Sequence, residues 1–347
     1  MRFSVMIWPH SGQTIEPVVR LAQCAEMCGF ATVYVGDSQM LWNDVYICLA
    51  CCAQATERVK LGTGVTNLIT RHPTVTANAM LSLNMLSQGR AVLGVGAGDS
   101  AVRTAGLAPA RRNQLRRDVV FIRDLLSGQE VEAPVLSETG GKKTWGRESH
   151  LRVAGAEEWG NIPIEIAVMG PRAALLVGEI GDGVIVDGHM GGNAEGATAT
   201  IQAASEGARK VGKDPSKLRF IAAIDAAIDD DRSKALDQVR PTAARNIAGK
   251  LWLPKTLGVE HADVVHAITD SYRFSQHLDL TAQHRQLIPD AVAQKCTIAG
   301  TPQDCIDKAH ELEAAGVTDI AIFVTTQDET AARLTLERFA REVIPEV

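Results

Sequence analysis

No run of apolar residues in this 347-residue chain is long enough to cross a bilayer, although 46% of the residues are hydrophobic. A spanning helix needs roughly 20 in succession. The apolar side chains are spread through short strands and amphipathic helices instead, so a membrane span is not expected. An excess of basic charge is missing as well. The formal net charge is -6, which gives no field of Lys and Arg to neutralise phosphates, so a nucleic-acid partner is not expected and a small-molecule substrate is. The seven cysteines lack the even spacing of a disulfide framework, and no second pair completes Cys48-x-x-Cys51 as a zinc site. Cys48, Cys51 and Cys52 read as small apolar residues of a buried helix. Also missing are H-E-x-x-H, a His-x-His pair after a strand, and G-x-S-x-G, which leaves no metal hydrolase and no serine nucleophile elbow. The start, from Met1 to Trp8, carries one positive charge and reads as a strand ending at Pro9. It has neither the apolar core nor the cleavage site of an export signal, so a cytoplasmic location is expected.

What is present is an alternation of strands and helices. The stretch from Val59 to Ser100 sets the pattern. A strand over 59–65 leads to Thr70-Arg71-His72-Pro73, an amphipathic helix over 74–86 follows, and a second strand over 91–95 ends in Gly96-Ala97-Gly98-Asp99-Ser100. Pro73 suits the first turn of a helix and His72 its cap. Gly62 and Gly64 are odd inside a buried strand and imply a bulge or the close approach of a ligand. About eight such units are readable, with strands over 3–8, 31–35, 163–168, 183–186, 218–228 and 319–324 beside those two. They predict an α/β chain folded as a (β/α)₈ TIM barrel. No linker rich in Pro, Gly or Ser divides it, so residues 1–347 form one domain. Two stretches read as insertions: about 129–160, which lacks a sustained period and reads as a lid or small hairpin, and 251–293, which is helical by pattern but too long for one connection, near the last strands.

In a barrel of this kind ligands meet the carboxyl ends of the strands, and polar or glycine-rich residues gather there. His10, Asp37 and Asp99 are the candidate acid–base groups. Gly94-Val95-Gly96-Ala97-Gly98-Asp99 resembles a dinucleotide fingerprint. Yet its third glycine would fall at Asp99, and the next clear helix begins near Asn113 instead of there. A barrel mouth explains the same residues, with Gly98 letting backbone approach a flat ligand and Asp99 offering a carboxylate; a plain turn is the alternative. Met169-Gly170-Pro171-Arg172 opens a helix whose free N–H groups suit a phosphate, or make an ordinary strand-to-helix turn. The neighbouring Gly188-His189-Met190-Gly191-Gly192 favours the phosphate.

These motifs resemble the bacterial luciferase-like superfamily, whose members hold FMN or the deazaflavin F420. The matching strings are Leu61-Gly62-Thr63-Gly64-Val65-Thr66-Asn67, Thr70-Arg71-His72-Pro73, Leu86-Ser87-Gln88-Gly89-Arg90, Gly94 to Ala101, and Gly170-Pro171 through Gly181-Asp182-Gly183. The resemblance implies a non-prolyl cis peptide at Gly64-Val65 behind the central ring of the cofactor. That ring would lie near Asp37, Thr66, Asn67, Gly98 and Asp99, and the phosphate end near Val168, Met169, Gly170, Pro171, Gly188 and His189. Luciferase proper has an arginine where this chain has Ala97, and Gly98-Asp99 with Ala101 looks closer to methylene-tetrahydromethanopterin reductase. The reading favoured here is an FMNH₂-dependent monooxygenase supplied by a separate flavin reductase. F420-dependent hydride transfer to or from a carbonyl or imine is the alternative, and a flavin-binding barrel without turnover a third. The superfamily further implies a homodimer packed through its early helices.

Overall fold

Strands buried on both faces need apolar side chains in both directions, and this requirement selects the runs that build the ring. They are β1 (Arg2–Ile7), β2 (Thr32–Val35), β3 (Lys60–Thr63), β4 (Ala91–Gly96), β5 (Ile164–Val168), β6 (Gly183–Asp187), β7 (Arg219–Ile228) and β8 (Asp319–Val324). The computed structural model describes residues 1–8, 14–133, 148–153, 155–248, 262–273, 281–324, 326 and 328–347. Each strand is parallel to the next, and β8 pairs back onto β1 through Asp319↔Arg2 to Phe323↔Met6, closing an 8-strand barrel. The predicted TIM barrel is what the chain forms.

Helices cover the ring: α1 (Glu16–Met27), α2 (Val45–Ala55), α3 (Pro73–Leu86), α4 (Arg112–Leu126), α5 (Pro171–Ile180), α6 (Ala194–Lys210), α7 (Arg232–Ile247), α8 (Pro302–Ala314) and α9 (Glu329–Glu342). Their starts carry local signals. Asp44 accepts from the N–H groups of Tyr46 and Ile47 at α2, and the ring of His72 accepts from Thr74 at α3, ahead of Pro73. At α8, Thr301 and Asp304 cap each other reciprocally. One apolar core lies between strands and helices, and a second fills the barrel with Met6, Tyr34, Val92, Ile185, Ile221, Ala223, Ala321 and Phe323. No helix among the described residues is long and apolar enough to cross a membrane.

The ring departs from the sequence expectation at the third strand. It is not continuous over 59–65: β3 stops at Thr63, the Gly64-Val65 peptide is cis, and Thr66–Asn67 resumes pairing against Val95 and Gly96. Gly62 and Gly64 are required here because a Cβ on either would lie under 3 Å from the Tyr34 side chain. A short helix, Ser100–Arg103, begins directly after Asp99, sooner than the helix expected near Asn113. The 129–160 insertion opens as an antiparallel pair, Val131–Glu132 with Glu148–Ser149; its residues 134–147 lie outside the described ones. Of the 251–293 insertion, Ala262–Ser271 and the 3-10 turn Gln283–Leu287 are described. They pack with Asp290–Cys296 against α7 as a separate apolar cluster. Thr297–Gly300 adds an unforeseen strand, paired to the upper end of β7; four residues are too few to show a period.

Candidate functional site

At the carboxyl ends of β2, β3 and β4 the sequence has removed side chains that would stand over the barrel. A Cβ on Gly96 would sit 3.1 Å from Val65 Cγ2 and 3.6 Å from the Ala167 methyl. One on Gly98, whose φ is +94°, would collide with Val102 and lie 3.4 Å from Asn67 Cβ. Val65 is half-buried and faces the interior cluster. The result is a shallow floor of backbone and small side chains, Gly64-Val65 on one strand end and Gly96 to Gly98 on the next. Such a floor suits a flat ring, because no Cβ stands on it at Gly64, Gly96 or Gly98.

One side of this floor is walled by aromatic rings. Trp8, just beyond β1, stacks on Trp42 with centroids 5.6 Å apart and planes 18° from parallel, and its other side meets Phe323 of β8 at 4.2 Å. Gly36 sits beneath, where a Cβ would lie 2.6 Å from Trp8 and 2.7 Å from Trp42. Both tryptophans were missed from sequence. Trp8 could have been found by counting in twos from Met6, since alternate residues of a strand share a face; Trp42, in an irregular loop, gives no such signal.

Asp37 and Asp99, paired in expectation as acid–base groups, occupy opposite environments. The Asp37 side chain is 2% exposed and accepts from Thr66 Oγ1 at 2.6 Å and Arg71 Nη1 at 2.5 Å. Arg71 reaches Asp44 with its other nitrogen at 2.6 Å and lies over the Tyr46 ring at 5.1 Å. Burial, and then the Asp37 charge, push the Tyr46 hydroxyl up to about 12. Asp37 is therefore engaged in tying the loop after β2 to the loop before α3. Asp99 is 77% exposed at its side chain and, among the described residues, meets Arg103 at 2.8 Å. His10 lies outside the described residues.

Thr66 and Asn67 are buried, and each is committed to the protein. Asn67 Oδ1 accepts from the Ile69 and Thr70 N–H groups at 3.0 and 2.9 Å, shaping the loop that presents Arg71. Ser100 donates to Ser38 at 3.0 Å and Gln39 to the Ala101 carbonyl at 2.8 Å, stitching the loop after β2 to the helix after Asp99. On the far side, Val168 is buried beside Val186, while Met169, Pro171 and Arg172 are exposed. Gly170 caps α5 with no side-chain hydrogen bond and open space where a Cβ would stand. With no side-chain cap there, the N–H groups of Met169, Gly170 and Arg172 around Pro171, which has none, suit an anion. Gly188, at φ +59°, packs on Asn246, whose amide donates to buried Asp225 at 2.9 Å. It forms a helical turn with His189 where a loop was expected, and the His189 side chain lies outside the described residues. Asp225 pairs in register with Phe323 and shares the inward parity of Ile221 and Ala223. In the sequence it reads as one residue of an apolar strand, with no local signal for its partner.

The thiols are not part of this mouth. Burial pushes Cys48 up to about 11 and Cys52 to about 12, so both stay protonated and inert in α2. Among the described residues no group of three or more His, Cys, Asp or Glu is placed to hold a metal.

The same architecture recurs in known proteins. A 5,10-methylenetetrahydromethanopterin reductase of Methanolobus tindarius is 32% identical over 311 residues, 88% of this chain and 90% of the relative. The solved coenzyme F420 dependent tetrahydromethanopterin reductase of Methanopyrus kandleri superposes with a TM-score of 0.82 at 25% identity, covering 99% of this chain and 98% of that one. The FMN-bound oxygenating constituent of 3,6-diketocamphane monooxygenase from Pseudomonas putida covers 100% of this chain and 99% of its own. Its TM-score is 0.70 and its identity 16%, a likeness of fold. Residues 1–319 match the profile described as luciferase-like monooxygenase. With that match over most of its length, and with the glycine floor and the Gly64-Val65 bulge in place, the chain belongs to the luciferase-like family of oxidoreductases.

Proposed function

We propose that this chain is an F420-dependent reductase or dehydrogenase acting on a carbonyl or imine carbon of a small organic substrate. The observation that carries the reading is its likeness, over nearly the whole of both chains, to reductases of a methylene-tetrahydropterin. It favours the alternative weighed at the sequence level over FMN and oxygen, which draw support from a likeness of fold alone. Ala97, where luciferase proper has an arginine, agrees with this preference. A separate flavin reductase belongs to the FMN reading and is not needed here.

F420, when bound, supplies the hydride chemistry. The protein's share is binding, orientation and proton handling. Gly64, Val65, Gly96 and Gly98 seat the ring; Trp8, Trp42 and Phe323 keep water from one side of it. Val168 to Pro171, with Gly188 beside them, receive the phosphate. Asp99, exposed at the rim and paired with Arg103, is the carboxylate placed to reach a substrate proton, with His10 as its rival. Asp37 holds the loops that flank the ring. A homodimer through α2 and α3 belongs to the same reading, since neither helix carries a charged residue and Ile47, Val75 and Leu86 are exposed on them.

Separate titrations of the purified protein with F420 and with FMN, followed by absorbance and fluorescence, test the cofactor. Anaerobic reoxidation of reduced F420 by a methylene-tetrahydropterin then tests the reaction. Tight F420 binding with turnover is expected. Binding of FMN alone, with oxygen uptake on adding FMNH₂, would overturn the assignment, and binding without any turnover would point to the non-catalytic barrel.

A further inference from the structure

The arginines of α4 divide into two kinds. Going down the helix away from the mouth, Arg116 pairs with Glu179, Arg117 with Asp118 and Arg123 with Asp182. At its mouth end Arg111 and Arg112 have no carboxylate partner among the described residues, and neither does Arg172 in the first turn of α5. All three are exposed, with Arg111 next to Arg112 in sequence and Arg172 opening the neighbouring α5. The Arg112 guanidinium donates to the Arg172 carbonyl at 3.5 Å, and Ala110 N–H donates to the Ala97 carbonyl at 2.8 Å, which holds this corner against the end of β4. In a chain with six more carboxylates than basic side chains, three neighbouring cations at the helix starts that follow β4 and β5 stand out. Like charges held close repel one another, and an anionic partner relieves that repulsion.

We infer that Arg111, Arg112 and Arg172 form a subsite for a chain of carboxylates that runs out of the mouth beyond the phosphate. This rests on the F420 reading. That cofactor carries γ-linked glutamates after its phosphodiester, whereas FMN ends at its phosphate. The phosphate itself goes to the N–H groups of Met169 and Gly170, and Arg111, Arg112 and Arg172 are exposed at the two helix starts beside them. Guanidinium suits this task because its planar fork meets carboxylates two bonds at a time while remaining hydrated.

The test is a fluorescence titration of wild type and of R111Q/R112Q/R172Q with two ligands, F420 carrying several glutamates and its tail-free deazaflavin chromophore, at low and at high salt. Three exposed pairs removed together should weaken F420 binding by about tenfold at low salt. The chromophore should bind both proteins alike, which also shows that the variant is folded. The wild-type affinity for F420 should fall with salt and that for the chromophore should not. Equal F420 affinity in variant and wild type, or an equal loss for both ligands, would overturn the subsite while leaving the F420 reading intact. Wild type that binds neither ligand would sink that reading itself, and the subsite with it.

Discussion

The Tyr34 hydroxyl donates to Glu165 at 2.6 Å across the inside of the barrel, joining β2 to β5 beneath the mouth. Arg219 grips Glu165 and Asp319, so that one guanidinium serves two buried carboxylates. Burial raises both carboxyls, and it raises the Tyr34 hydroxyl well above its usual value, Glu165 adding to the effect. The same tyrosine is the surface on which Gly62 and Gly64 rest. A polar plug at the amino-terminal end of the strands therefore fixes the ring that supports the Gly64-Val65 bulge, and with it the level of the floor above.

Tyr34→Phe should destabilise the fold by about 1–3 kcal/mol, the cost of removing a donor from a buried carboxylate. The sign of its pH dependence follows from Glu165. A carboxyl whose folded pKa is raised binds more protons folded than unfolded, so its contribution to stability falls as pH climbs from the unfolded value, about 4.3, toward the folded one. The hydroxyl favours the charged form, so the deficit of the variant should shrink as Glu165 is protonated. Urea midpoints at pH 8 and pH 5 measure both effects. Equal midpoints for variant and wild type at pH 8 would mean that the plug carries no stability.

Much of this arrangement was legible in the sequence because it follows from local rules. The strands are short β-branched and apolar runs, the helices announce themselves at Asp44, His72-Pro73 and Thr301-Pro302, and Gly62, Gly64 and Gly98 stand where side chains cannot. What escaped is what depends on partners distant in the chain. Arg71 was quoted as part of a motif, but its grip on Asp37 and Asp44 is set by the meeting of two loops. Glu165, Arg219 and Asp319 each stand at or near the start of an apolar strand, and only closure of the ring brings them together. The expectation for Asp37 came from its place at a strand end, which cannot tell an open carboxylate from one already bound.

Glu26, at the end of α1, accepts from the N–H groups of Glu57, Arg58 and Val59 at 2.6 to 3.1 Å and so fixes the turn into β3. Partial burial raises its carboxyl, but these three donors outweigh that and leave it below the ordinary value. A depressed folded pKa gives stability that is whole above the unfolded value, about 4.3, and is lost as pH falls through the folded one. Glu26→Gln should therefore cost about 1–3 kcal/mol at pH 7 and approach wild type near pH 3. Thermal melts at the two pH values check this, and a deficit of the same size at both would remove the carboxylate from the explanation.

Arg71 and Asp37 invite a double-mutant cycle. Arg71→Met leaves Asp37 buried with Thr66 as its remaining donor in the pair of loops, and breaking a buried ion pair from one side costs about 3–5 kcal/mol. Asp37→Asn should be milder, and the double variant should be more stable than Arg71→Met alone, giving a coupling energy of about 0.5–3 kcal/mol. Chemical denaturation reads all four proteins. If Asp37 instead exchanged a proton with substrate, Asp37→Asn would abolish kcat and leave the denaturation midpoint where it was.

Helices α2 and α3 test the assembly. From Val45 to Ala55 and from Pro73 to Leu86 no side chain is charged, and Ile47 and Val75 are 56% and 55% exposed. A surface helix ordinarily carries charged side chains on its outer face, and in one copy of this chain the outer faces of these two show none, only Ile47, Val75 and Leu86 beside the uncharged Gln54, Asn78 and Ser82. Burying the outer face against the same face of a second copy satisfies the pattern and makes a two-fold contact self-complementary. Ile47→Glu with Val75→Glu would place four like charges in that contact, and like charges set against each other cost several kcal/mol. Light scattering coupled to gel filtration should give twice the chain mass for wild type and a single chain for the double variant, with the circular dichroism spectrum unchanged. A wild-type protein that elutes as one chain at all concentrations would discard the dimer and leave these exposed side chains without a purpose in the assembly.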